Sequence, residues 1–210
     1  MMSGKMRHDR AIKVTRGKPA LALAALLLLA NQGTLAATRA AVPNLPELFA
    51  RLALRGPAQV RFTEVKRLSV LTQPLRLEGR LEFRPPDYLA KHVETPAEED
   101  YLIEGGQVTV SKPAERQHLK LSLADYPHLE AFAESLRAPL AGNLDALRRH
   151  WRPSLGGSWK RWLLALTPLD PALAAVVRGV RLEGQEDRLT RMTLEETGGD
   201  TSTLDLRPDW

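Results

Sequence analysis

Between Leu75 and Arg84 the chain alternates. Leu75, Leu77, Leu81 and Phe83 fall on one side, and Arg76, Glu78, Arg80, Glu82 and Arg84 on the other; Gly79 stands where the apolar row would otherwise continue. Successive side chains of a strand point to opposite faces, so this spacing demands a strand with one face buried and one in water. One-sided burial is the habit of antiparallel sheets. Val60 and Phe62, with Arg61 and Thr63 opposite, begin the same pattern, which slips near Val65. Further short strands are expected over residues 88–94, 100–104, 107–112, 117–123, 158–166, 180–183, 188–195 and 201–206. Turn material separates the first of them: Pro85-Pro86, Thr95-Pro96, Gly105-Gly106 and Lys112-Pro113. Roughly nine short strands joined by turns describe an antiparallel meander.

Helical spacing interrupts this pattern. Leu45, Phe49, Leu52 and Ala53 mark a short amphipathic helix with Pro46 in its first turn, ending before Gly56. Leu129, Phe132, Ala133 and Leu136 take positions i, i+3, i+4 and i+7 after Asp125 as a possible cap, and Leu144, Leu147 and Trp151 continue as a second, shorter row. Residues 170–177 read as one more short helix. The fold class expected is α+β: a curved antiparallel sheet forming an incomplete, half-open β-barrel covered by short helices. Such a barrel can enclose an apolar ligand where the helices do not fill it. Aromatic residues make up only 5% of the chain, so a cavity would be walled by leucine, valine and alanine, a lining suited to acyl chains. The row Leu75, Leu77, Leu81 and Phe83, and the helix stripe Leu129, Phe132 and Leu136, are the candidate lining; packed core is the competing reading.

The N-terminal segment has a different character. Residues 1–36 carry Lys5, Arg7, Arg10, Lys13, Arg16 and Lys18 against Asp9 alone, then an apolar run from Ala20 to Ala30, then small residues at Thr34, Ala36 and Ala37. This is the layout of a cleavable secretory signal, cut after Ala36 or Ala37. The formal charge of +5 resides there, since 24 basic and 24 acidic residues remain from position 37 onward. The folded part, residues 37–210 as one domain, thus lacks the basic excess of a nucleic-acid binder. The chain has no cysteine, which excludes disulfides, thiolate metal sites and a lipidated N-terminal cysteine. Periplasmic residence as a monomer is the expectation.

Catalytic patterns are missing from the sequence. His8, His92, His118, His128 and His150 show no metal-ligand spacing, and Gly156-Gly157-Ser158 is no nucleophile elbow. The adjacent acids Glu98, Glu99 and Asp100 point to alternate faces if the segment is a strand. No enzyme activity, metal or cofactor is expected.

The segment Gly79-Arg80-Leu81-Glu82-Phe83-Arg84-Pro85, followed by Thr95-Pro96 and by the paired strands 101–110 around Gly105-Gly106, resembles the LolA family of periplasmic outer-membrane lipoprotein carriers. The helical insert, the segment Trp159 to Pro168 and the final hairpin 189–206 follow in the family's order, so the likeness spans residues 43–206. Two departures mark a divergent member. The segment from Tyr88 to His92 lacks the family's tryptophan, and Val108 and Val110 replace aromatic residues. The resemblance implies a helical lid over an apolar cavity, with Arg84 as the latch that holds the lid closed. It implies acyl chains of a lipoprotein or lipid as cargo, an inner-membrane export complex as donor and an outer-membrane acceptor. An accessory or sensor module, for example beside a lipid or pigment exporter, is the alternative use of the same half-barrel.

Overall fold

A computed structural model describes residues 43–208; the expected signal segment and its cleavage site lie outside the described residues. Eleven strands form one sheet: β1 (Ala58–Arg67), β2 (Leu75–Arg84), β3 (Tyr88–Thr95), β4 (Glu99–Glu104), β5 (Gln107–Lys112), β6 (Gln117–Ser122), β7 (Trp151–Ser158), β8 (Arg161–Pro168), β9 (Val177–Gln185), β10 (Arg188–Glu196) and β11 (Thr201–Pro208). Their order is β6-β5-β4-β3-β2-β1-β11-β10-β9-β8-β7, every neighbouring pair antiparallel. The pairing of β1 with β11 joins two meanders into one sheet, and β6 and β7 remain as unpaired edges, so the barrel is half open. Four helices, α1 (Leu45–Ala53), α2 (Pro127–Leu140), α3 (Leu144–His150) and α4 (Pro171–Ala174), complete the α+β fold.

Alternation in β2 is as expected: Leu77, Gly79, Leu81 and Phe83 are buried and Leu75 half-buried, with the charged row outside. Gly79 sits at a bulge against β3, where a Cβ would lie 1.9 Å from the carbonyl oxygen of His92. The close approach of the two backbones, rather than any turn, requires glycine there. The apparent slip near Val65 is not one. β1 runs in unbroken register with β2 and β11 from Val60 to Lys66, and its inward row continues as Phe62, Glu64 and Lys66. The apolar row becomes charged without leaving its face.

Helix termini follow local chemistry. Asn44 caps α1 by accepting from the Glu47 amide at 2.9 Å, Asn143 caps α3 through the Ala146 amide at 2.9 Å, and Asp170 caps α4 through the Ala172 amide at 2.9 Å. Asp125, expected to cap α2, does not. It lies in a 3-10 turn from Leu123 to Asp125, and α2 begins after Tyr126 with Pro127 in its first turn. The count of about nine strands also falls short. Trp151, read as the end of a helical row, opens β7, while α3 stops at His150. β7 contains Pro153, Gly156 and Gly157, residues that argue against a strand in mid-sheet and are accommodated here because β7 is an edge.

The core lies between the helices and the strands β1–β3 and β7–β11. Trp151 is fully buried and donates its indole N–H to the Ala131 carbonyl at 2.8 Å, pinning α2 to β7. Trp162 fills the space over Gly184 and donates to the Glu186 carbonyl at 3.0 Å. Leu48, Phe49 and Leu52 of α1 pack into the same cluster with Leu164, Leu166, Val180 and Leu182.

Candidate functional site

Cross-strand registers arrange the inner face in rows. Phe83, Leu89, Ile103, Val108 and Leu121 form one row across β2–β6, and Leu81, Lys91, Tyr101, Val110 and Leu119 the next. A third row runs through Gly79, Val93 and Glu99, and Lys112 pairs with Gln117 at its far side. The first row is wholly apolar and the third largely polar, so the concavity changes character along its strands.

At the apolar end a small slot remains beneath α1 and the C-terminal end of α2. Its volume is about 90 Å³, and its walls include Leu52, Val60, Leu81, Phe83, Leu140 and Leu206. This is far below the ~300–1,000 Å³ of pockets that engulf a whole small molecule. The expected cavity is therefore largely filled in this structure: Leu77, Leu81, Phe83 and Leu136 belong to the packed core, with Leu75 against its margin. Leu129 and Phe132 differ from that group, being 39% and 41% exposed on the N-terminal half of α2. The candidate lining thus separates into an interior set and a surface set.

Three polar ties hold the helices over the slot. Arg55 pairs with Asp187 through two hydrogen bonds of 3.0 and 3.2 Å at the slot's rim. Burial alone would raise the Asp187 carboxyl, but the Arg55 guanidinium outweighs it and holds the group below its ordinary range. Arg51 lies 3.9 Å from the centroid of the Trp159 ring and 3.8 Å from Glu186. Arg137 of α2 donates to the backbone carbonyl of Asp87 at 3.4 Å and pairs with the buried Glu134. Arg84, the expected latch, has its partners on the outer face: Glu82 at 3.2 Å and the ring of Tyr88, 3.6 Å from the guanidinium carbon. Position explains the difference, because Arg84 belongs to the outward row of β2 while Arg137 is on α2 itself.

The opposite end of the concavity holds a cluster that the alternation pattern hid. Glu64 is 5% exposed and inward-facing; it pairs closely with Lys91, accepts from the Ser202 hydroxyl at 2.6 Å and lies 3.7 Å from Lys66. Burial pushes Glu64 up, yet two ammonium groups and the hydroxyl bring it below the usual carboxylate value. Burial dominates at Lys91 and lowers its pKa against the pull of Glu64. Beside them, Glu99 accepts from the Tyr101 hydroxyl and pairs with Lys112 at 3.3 Å. Burial first, then the bond to Glu99, raises the Tyr101 phenol far above its ordinary range. The signal that could have exposed this cluster was the continuation of period two into charged residues on several strands at once.

Among the described residues no group of three or more His, Asp or Glu is placed to hold a metal, and no helix is long and apolar enough to cross a membrane. Together these features define a half-open antiparallel barrel with helices packed on a largely apolar inner face. Residues 36–205 match the model of the outer membrane lipoprotein carrier protein LolA-like family, and the chain belongs to that family. No curated protein matches it. Among solved structures, a LolA superfamily protein from Nitrosomonas europaea is 14% identical over 80% of this chain and 94% of its own, with a TM-score of 0.43. A DUF1329 family protein from Desulfovibrio piger is 15% identical over 79% and 92%, with a TM-score of 0.41. The MucA/MucB complex of Pseudomonas aeruginosa gives 16% identity over 78% of this chain and 56% of that one, with a TM-score of 0.42.

Proposed function

We propose that this chain is an exported carrier that shields acyl chains of a lipoprotein or lipid on the inner face of its half-barrel and passes them toward the outer membrane. The reading rests on one observation: the inner face is apolar beyond what the helices cover, leaving the slot below α1 and α2 and the half-exposed inner residues of β4–β6. Each methylene withdrawn from water contributes about 0.8 kcal/mol, enough over a long chain to offset displacement of a lid held by a few surface ion pairs. Such a carrier is a monomer in the periplasm, takes cargo from an inner-membrane complex, and releases it to an outer-membrane acceptor that binds it more tightly. It needs no cofactor and performs no covalent step.

The experiment is mass spectrometry of the full chain purified from its native envelope without detergent. Co-purifying acyl lipid or lipoprotein is expected. Absence of both, together with failure to take up a fluorescent fatty acid in vitro, defeats the reading. The tight filling of the central interior favours a second use, in which the half-barrel serves as a protein-docking module for an exporter. A stable protein partner retained in pull-downs with and without detergent, with no lipid present, is its signature.

A further inference from the structure

Strands β4–β6 form a wing of the sheet that ends in a free edge, and the two edges of the sheet differ. β7 carries Pro153, which lacks an N–H, together with Gly156 and Gly157. β6 reads Gln117-His118-Leu119-Lys120-Leu121-Ser122, with no proline or glycine, and pairs with β5 without a slip along its whole length. Four of its residues, Gln117 to Lys120, are exposed. The ladder shows which backbone groups are free. The Leu123 amide donates at 2.8 Å to the carbonyl of Gly106, which continues the register of the pair. Bonded and non-bonded pairs alternate in an antiparallel ladder, so Leu121, Leu119 and Gln117 bond to β5. The N–H and C=O groups of His118, Lys120 and Ser122 therefore face away from β5, and among the described residues no strand takes them up. Such a row is a template for another strand.

We infer that the β6 edge takes up an extended, antiparallel segment of another protein, in which acidic side chains on the outer face alternate with apolar ones on the inner face. This docking role is separate from the acyl-binding reading. The inner half of the pattern follows from Leu119, 40% exposed, and the half-buried Leu121, which incoming apolar residues would cover. The outer half follows from charge. From Arg116 to Ala124 the chain has no acidic residue. Inward from Lys120 on the outer face stand Thr109 and Leu102, neither a countercharge. Arg116 and Lys120 have no ion-pair partner among the described residues. A carboxylate directly across the edge from Lys120 supplies one. The same lysine disfavours a second copy. The two longest two-fold pairings that keep inner face beside inner face put Lys120 opposite itself or opposite His118. Residues 1–42 of this chain hold Asp9 as their only acid, so they do not match the pattern.

The test titrates the full mature chain with short blocked peptides and follows amide hydrogen exchange in β6. A peptide alternating glutamate and valine is expected to slow exchange at His118, Lys120 and Ser122, and to bind about tenfold more tightly than its lysine–valine counterpart. The Arg116→Glu/Lys120→Glu variant should reverse that preference. N-methylation of the glutamate amides, which face β6 in this pairing, should abolish binding, and methylation of the valine amides should not. No slowing with the acidic peptide, or equal affinity for the two peptides, overturns the inference. Binding that survives methylation of the glutamate amides overturns strand addition. Slowing at β6 that grows with protein concentration in the absence of peptide assigns the edge to a second copy and overturns the acidic partner. Uptake of a fluorescent fatty acid should be equal in wild type and the charge-reversed variant. Uptake abolished by the variant makes the edge part of the acyl site and overturns a separate docking role.

Discussion

Two stretches of one sheet meet different fates. Strands β7–β10 carry an inward row of Trp151, Trp162, Leu164, Leu166, Val180, Leu182 and Met192, all buried by helices and neighbouring strands. Strands β4–β6 carry an equally alternating row, but Ile103, Tyr101, Val110, Leu119 and Leu121 are only partly covered and their row ends in Glu99 and Lys112. Alternation decides which residues face inward; it does not decide what covers them. Stability grows with apolar area taken from water, so the covered half carries the fold, while the wing keeps apolar surface in contact with water.

The largest effect should come from the covered half. Trp162→Ala empties the space over Gly184 and removes the bond to the Glu186 carbonyl, and a loss of about 3–5 kcal/mol in urea denaturation is expected. Leu119→Ala on the wing should lose under about 1 kcal/mol. Comparable losses at the two sites would show that the wing is core after all.

Next is the ionic end. Glu64→Gln leaves Lys91 without its anion, and removal of one partner from a buried pair costs about 3 kcal/mol near neutral pH. The folded-state pKa of Glu64 lies below its ordinary 4.5, so its contribution is complete above that pH and disappears as pH falls through the lower folded value. Unfolding curves of wild type and Glu64→Gln should therefore converge below pH 4.5 and separate above it. A constant gap across that range would mean that packing, not charge, ties Glu64 to the sheet. Gly79→Ala comes third, at about 1–3 kcal/mol, because its Cβ meets the His92 carbonyl at 1.9 Å and backbone must shift.

Much of this architecture could be read before any coordinates. The β2 alternation, the turns flanked by proline and glycine, and the apolar spacing of α1 and α2 carry their geometry locally, and the fold class follows from them. What escaped depends on neighbours. β7 is hidden in the sequence because Pro153, which has no N–H for a ladder bond, is tolerated at an edge, and being an edge is a property of the whole sheet. Glu64 and Lys66 looked like a broken pattern because inward charges are acceptable only with partners from β3 and β11. Leu129 and Phe132 kept helical spacing, yet helical spacing cannot say that α2 reaches past its cover.

The smallest effect separates the two arginines. Arg84 stacks on Tyr88 and pairs with Glu82 on the outer face, where water competes for both contacts. Arg137 ties α2 to the β2–β3 turn and neutralises the buried Glu134. Arg137→Ala should lower stability by about 1–3 kcal/mol, since it leaves Glu134 buried without its cation, and should speed hydrogen exchange along α2. Arg84→Ala should leave both the unfolding midpoint and exchange in α2 unchanged. If Arg84→Ala instead accelerates exchange in α2, the lid is fastened from the sheet's outer row, and the division between an outer face in water and an inner face under helices is less complete than the registers imply.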